Sequence, residues 1–192
     1  RQRRGGVSRG GPAHAKAQAE ETVADSKVHL LVGPLAAFAD VAIDEYIREQ
    51  KNPTLGVAAA EDMTERKRNP WFVRATSSSA QCAHVMADHC VNTLKYKRMA
   101  LIADDIAYGQ EMNAGFQRVF EEGGGKIVQK MFPPLTAPDY GSFLAQPKTN
   151  VDAVFLGFAG PNGLPFTPPL NHDGLPGHLH YRAGIHATDQ AV

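Results

Sequence analysis

Short apolar runs alternate along this chain with longer segments in which apolar residues recur every three or four positions. The runs do not alternate between apolar and polar positions, and Gly33 and Pro34 end the first of them. Continuous apolar strands are typical of sheets that are covered on both faces. Strands are predicted at residues 28–32, 53–57, 71–75, 98–103, 126–132 and 151–157, and helices at residues 13–26, 39–50, 77–95, 109–122 and 140–148.

This order of strands and helices predicts the α/β fold class, with parallel sheets covered by helices. Three glycines, residues 123–125, follow a predicted helix and precede a strand, which indicates a helix end rather than a phosphate-binding loop. The regular alternation ends after residue 157, because Pro165, Pro168 and Pro169 fall where the next helix is expected.

Composition and charge narrow the class of partner. The 192 residues are 43% hydrophobic, which suits one large or two small globular domains. Lys plus Arg and Asp plus Glu both number 20, so no nucleic-acid or anionic membrane partner is expected. The Gly-rich and Arg-rich residues 1–12 are expected to be a disordered tip.

The sequence contains only weak signals of a catalytic or metal-binding site. The pair His84 and Asp88 has helical spacing for zinc but no third ligand with supporting spacing, and Asp104 and Asp105 end a strand without further acids. Cys82 and Cys90 lie about 12 Å apart on one predicted helix, beyond disulfide reach. No catalytic residue, metal or cofactor is therefore expected.

Five separated strings identify a resemblance to a known family. In chain order they are VHLLVGPLAAF, NPTLGVAAAEDMT, NPWFVRATSSSAQ, LIADDIAYGQEMNAGFQRVFEEGGGKIV and NVDAVFLGFAGPNG. Together they resemble the leucine/isoleucine/valine-binding proteins of ATP-driven transporters, which are type I periplasmic solute-binding proteins. The resemblance covers residues 15–163.

The resemblance implies two Rossmann-like lobes that face each other across a ligand-binding cleft. Residues 13–76 would form part of the first lobe and residues 77–192 part of the second, so the fold would be incomplete in this chain. The implied role is the extracytoplasmic, periplasmic binding component of an ABC importer. Its partners would be a small-molecule ligand, either an amino acid or another organic acid, and a membrane permease.

The predicted site lies in the loops that follow the strands. Ligands of open parallel sheets bind beyond the carboxyl ends of the strands, where the amino ends of helices favour a carboxylate. The predicted ligand-binding residues are Ala37, Phe38, Ala58, Ala59, Ala60, Tyr108, Phe158, Ala159, Gly160 and His186.

These loops depart from the family's pattern. The relatives place serine or threonine hydroxyls at the positions that resemble residues 37–38 and 58–60, whereas this chain has none there. We therefore expect a carboxylate held by backbone amides beside an apolar or aromatic body on Phe38, Tyr108 and Phe158. The alternatives are that Phe38 and Phe158 belong to the core and that Tyr108 packs at a helix start.

Two other functions stay open at this point. One is a ligand-sensing regulatory domain of the same two-lobed fold. The other is a fragment of a flavodoxin-like enzyme, although no nucleophile elbow, Walker loop or dinucleotide fingerprint is present in the sequence.

Overall fold

The computed structural model describes residues 11–25, 27–57, 61–134, 143 and 150–159. The chain divides into two compact units, Arg1–Ser78 and Ser79–Val192. Most of the expected disordered tip, and the predicted helix at residues 140–148 apart from residue 143, lie outside the described residues. The two units are described separately below.

The first unit places two helices and three strands in the predicted order. In the described part of this unit the elements are α1 (Pro12–Ala24), β1 (Leu31–Val32), α2 (Ala37–Gln50), β2 (Thr54–Gly56) and β3 (Phe72–Arg74). The strands form a parallel sheet in the order β1, β2, β3. They are shorter than the predicted runs, since only two or three residues of each form sheet hydrogen bonds.

The core of the first unit is small. Its buried cluster contains Ala19 of α1, Ile43 and Ile47 of α2, Met63, and Phe72 of β3, with Trp71 packed against it. Ile43 and Ile47 are four residues apart, so the inner face of α2 holds both against the cluster. At the outer edge of the sheet Val32 remains exposed.

The second unit has longer strands and a larger core. Its described elements are α3 (Ser79–Asp88), a π-helical turn (His89–Thr93), β4 (Arg98–Ala103), α4 (Ala107–Glu122), β5 (Lys126–Met131) and β6 (Ala153–Gly157). The strands are parallel in the order β5, β4, β6. The predicted α/β class with parallel sheets and helices is confirmed by both units.

Close helix packing supports this second sheet. Gly115 of α4 lies directly on α3, and an added Cβ there would come within 2.6 Å of the Ala80 backbone. Phe116 of α4 is fully buried and stacks on Phe155 of β6, with ring centroids 4.4 Å apart. These contacts fix α4 over the sheet, and so they fix the start of α4 at the carboxyl ends of β4 and β6.

The helix predicted at residues 77–95 differs from the observed one at both ends. It begins at Ser79, and after Asp88 the backbone changes to the wider π-helical hydrogen-bonding pattern, as in the bond from the Leu94 amide to the His89 carbonyl. A regular helix over residues 77–95 would place Leu94 on its inner side with the other apolar residues, but Leu94 is 40% exposed. The wider turn explains this difference, because hydrogen bonds that span one more residue move later side chains off the face that a regular helix would bury.

No helix in the described part of the chain is long and apolar enough to cross a membrane.

Candidate functional site

In the first unit, the loop after β1 leads directly into α2. Ala37 and Phe38 are the first two residues of this helix; Ala37 is buried and Phe38 is half-buried. The residue before them, Ala36, has the extended conformation of a helix cap but makes no side-chain capping hydrogen bond. Within the described residues, the amides of Ala37 and Phe38 have no hydrogen-bond partner, so they are available to an anion.

The same end of the sheet contains a carboxylate that the sequence analysis missed. Asp40, in the first turn of α2, is fully buried, and neither of its oxygens has a hydrogen-bond partner among the described residues. Burial raises the pKa of Asp40 from 3.8 to about 7, and the nearby Arg74 charge opposes part of this rise. Asp40 thus changes between a neutral acid and a buried charge near neutral pH.

Arg74 is the last residue of β3, so it lies at the same end of the sheet as Asp40. Its guanidinium group donates a hydrogen bond to Thr64 and lies 3.6 Å from a carboxylate oxygen of Glu65. The side chain is almost wholly buried. Spacing could have identified Asp40, because it lies three residues before the buried Ile43 and therefore on the inner face of α2.

In the second unit, Tyr108 is the second residue of α4 and packs against the core cluster of that unit. Its half-buried position raises the pKa of the phenol above its ordinary value, mainly through desolvation and further through Cys82 and Asp104. The phenol is therefore a neutral hydrogen-bond donor over the physiological range. The next residue, Gly109, lets this turn lie on β4, because a Cβ there would collide with the carbonyl oxygen of Asp104.

Asp104 and Asp105 occupy different environments. Asp104 is 1% exposed, and its Oδ2 accepts a hydrogen bond of 2.8 Å from the amide of Ala159. Asp105 is exposed and accepts a hydrogen bond from the Gln110 side chain. The carboxylate of Asp104 thus turns inward to meet the loop after β6, whereas that of Asp105 faces outward.

The other predicted site residues fall into three groups: one core residue, one half-buried residue, and residues outside the described part of the chain. Phe158 is buried in a core cluster with Ile102, Met131 and Leu156, as the core alternative holds. Ala159 is half-buried beside Asp104. The residues outside the described part of the chain are Ala58, Ala59, Ala60, Gly160 and His186.

Within the described residues, no three His, Cys, Asp or Glu side chains are grouped as a metal site would require. Asp88, which has helical spacing with His84 for zinc binding, accepts a hydrogen bond of 2.8 Å from Asn92. Cys82 and Cys90 form no disulfide bond. Burial raises the pKa of Cys90 to about 11, so this thiol stays protonated.

Each unit therefore has a parallel sheet whose carboxyl end meets the start of a helix, which is the arrangement of ligand-binding α/β proteins. The family model for periplasmic binding proteins matches residues 8–191. The chain belongs to this family, as the resemblance in the sequence had indicated.

Individual relatives agree with this assignment. The chain is 25% identical over 175 residues to Leu/Ile/Val-binding protein homolog 6 of Brucella melitensis. It is 27% identical to an ABC transporter substrate-binding protein from Sphaerobacter thermophilus, with a TM-score of 0.82. It is 26% identical to a solute-binding protein of an ABC transporter from Rhodopseudomonas palustris, solved in complex with p-hydroxybenzoic acid, with a TM-score of 0.81.

These similarities cover most of this chain but only part of each relative. The matched share of this chain is 88% for the Brucella protein, 93% for the Sphaerobacter structure and 90% for the Rhodopseudomonas structure. The corresponding shares of those proteins are 43%, 50% and 47%. The chain thus spans about half the length of the relatives it matches.

Proposed function

We propose that this chain is the ligand-binding part of an extracytoplasmic solute-binding component of an ABC importer, and that its ligand is a small carboxylate-bearing molecule. The protein acts in the periplasm and delivers the ligand to a membrane permease. It binds this ligand without chemically changing it. Residues 13–76 and 77–192 contribute to the two lobes of the complete protein.

One observation carries the carboxylate assignment. Both α2 and α4 begin at the carboxyl end of a parallel sheet, and neither Ala36 nor Ile106 caps its helix with a side chain. A helix start without a side-chain cap keeps backbone amides and a partial positive charge available to an anion. An anionic ligand group replaces the missing serine or threonine oxygen at these positions.

The side chains beside these amides favour an aromatic body on the ligand. Phe38 is half-buried at the start of α2 and belongs to none of the core clusters of the described residues. The phenol of Tyr108 can donate a hydrogen bond at the start of α4. A partly exposed phenylalanine next to anion-binding amides suits an aromatic acid better than a small zwitterion. The p-hydroxybenzoic acid complex of the Rhodopseudomonas relative supports the same class.

The test is a thermal-shift and calorimetric comparison of ligands with the full chain. We expect benzoate and 4-hydroxybenzoate to raise the melting temperature more than leucine, isoleucine or valine. Phe38→Ala should weaken binding of the aromatic acids about tenfold, because it removes a stacking interaction that contributes about 1.4 kcal/mol to the binding free energy.

Val41→Ala is the matched control, because Val41 lies on the exposed face of the same helix. This variant should bind all ligands as the wild type does. Stabilisation by the three amino acids alone would contradict the aromatic-acid proposal. Stabilisation by none of the five compounds would contradict the wider assignment to this ligand class.

A further inference from the structure

Three segments of the second unit meet at the carboxyl end of its sheet. β4 ends at Ala103, opposite Gly157 at the end of β6, and α4 starts four residues after β4. Two of these segments carry predicted ligand-binding residues: Tyr108 near the start of α4 and Ala159 after β6. The relative placement of Tyr108 and Ala159 depends on what joins the three segments.

The first joint is a backbone contact. Gly109, immediately after Tyr108, lies so close to the Asp104 backbone that no side chain would fit between them. The α4 turn is therefore held against the residue that follows β4. This contact sets the height of Tyr108 above the sheet end.

The second contact that links these segments is made by the side chain of Asp104. Its carboxylate accepts the Ala159 amide at 2.8 Å across 55 residues of sequence. A hydrogen bond in the low dielectric of a protein interior is electrostatically stronger than one in water. Asp104 therefore fixes the loop after β6 to the same point on which the α4 turn lies.

The charge of Asp104 also acts on Tyr108. The pKa of the Tyr108 phenol is raised mainly by desolvation. The charges of Cys82 and then of Asp104 are the smaller causes. A nearby negative charge disfavours the phenolate and keeps the hydroxyl as a donor. The same carboxylate thus affects both the position of one loop and the protonation of the neighbouring side chain.

We infer that Asp104 is the positioning residue of this site: it holds the Ala159 loop in register with the Tyr108 turn and so sets the affinity of the site for its ligand. Asp104 does not itself contact the ligand. The effect on affinity rests on the proposed function, whereas the effect on the loop does not.

The test compares Asp104→Ala with Asp105→Ala in the full chain. Asp105 is the matched control because it is the neighbouring acid but is exposed and contacts Gln110 instead of Ala159. In Asp104→Ala we expect amide hydrogen exchange at Ala159 to accelerate at least tenfold and the pKa of Tyr108 to fall. Affinity for 4-hydroxybenzoate should weaken at least tenfold. Asp105→Ala should leave all three quantities unchanged.

A conservative variant separates positioning from a general structural role. Asp104→Asn keeps an oxygen that can accept the Ala159 amide but has no charge. It should restore slow exchange at Ala159 and part of the affinity, while the pKa of Tyr108 stays lowered. A loss of stability alone would not produce this split between the two measurements.

Four outcomes would decide against the inference or against the proposed function on which part of it rests. Unchanged exchange at Ala159 in a folded Asp104→Ala protein overturns the inference, as does unchanged affinity in a protein that binds 4-hydroxybenzoate. If Asp104→Ala does not fold, Ala159→Pro removes the donor instead, and wild-type affinity in that variant overturns the inference. If the wild type binds none of the aromatic acids or amino acids, the proposed function fails, and amide exchange and the Tyr108 pKa still judge the positioning role.

Discussion

Asp40 in the first unit and Asp104 in the second are both buried acids at the carboxyl end of a parallel sheet, yet their surroundings are opposite. Asp104 accepts the amide of Ala159. Neither oxygen of Asp40 has a hydrogen-bond partner in the part of the chain that the structure describes. A satisfied buried carboxylate organises the backbone around it, whereas an unsatisfied one makes folding less favourable once it is ionised.

The largest effect expected from this difference is a dependence of stability on pH in the first unit. Because the pKa of folded Asp40 is raised from 3.8 to about 7, the folded state binds the proton more tightly than the unfolded state. The stability from this group is therefore fully present below about pH 3.8 and is lost as the pH rises through about 7. At about 1.4 kcal/mol per unit, the total loss approaches about 4 kcal/mol.

A comparison with the variant Asp40→Asn separates the contribution of Asp40 to the pH dependence from the contributions of the other acids. The free energy of unfolding of the wild type minus that of Asp40→Asn should decline between pH 4 and 7. Trp71, the single tryptophan of the chain, packs against the core of the same unit and supplies the fluorescence signal. Parallel pH profiles for the two proteins would show that Asp40 is not the buried titrating acid.

A smaller effect is expected from the same substitution at a fixed pH of about 8. Asp40→Asn removes the buried charge but leaves a buried polar group, so the free energy of unfolding should rise by about 2 kcal/mol. Urea denaturation measures the change. A fall in stability would mean that the Asp40 charge is favourably paired in solution.

Asp44 provides the matched control on the same helix. Its Oδ1 accepts a hydrogen bond of 2.7 Å from the Asn69 side chain and also contacts Arg48. Asp44→Asn should therefore lower the free energy of unfolding by about 1 kcal/mol, the opposite sign to Asp40→Asn. Equal signs for the two variants would remove the distinction between a paired and an unpaired acid.

The hydrophobic pattern predicted the second unit better than the first. β4 was predicted at residues 98–103 and occurs there, because a central strand buried along nearly its whole length has an uninterrupted apolar run. In the first unit, β1 contains only the last two residues of the predicted run at residues 28–32. Strand pairing there depends on neighbours at a distance in sequence, which a local pattern does not contain.

Local patterns also predicted the site only in part. The position of Tyr108 near the start of a helix follows from a strand, a short loop and a helix in sequence, although α4 begins at Ala107, two residues before the predicted helix. The hydrogen bond between Asp104 and Ala159 does not, since the two residues are 55 positions apart and the donor is a backbone amide, which is present at nearly every position. Asp40 could have been found from its position on the apolar face of α2. Whether it has a hydrogen-bond partner depends on the tertiary structure, which a local pattern does not contain.

The smallest expected effect concerns the two helix starts. Ala36 has the backbone conformation of a cap, with φ −85° and ψ 132°, but no side-chain oxygen. Ala36→Ser should add a hydrogen bond to the amides of the first turn and raise the free energy of unfolding by about 1 kcal/mol or less. If an anionic ligand uses the same amides, this variant should also bind benzoate more weakly, as calorimetry would detect.

Ile106→Ser is the corresponding change at α4, where the cap residue also lacks a side-chain hydrogen bond. Ile106 is half-buried, so the loss of apolar contact offsets the new hydrogen bond, and no net gain in stability is expected. Weaker benzoate binding in a variant would mean that its own helix start contacts the carboxylate. Unchanged binding in a variant would mean that its helix start does not contact the carboxylate.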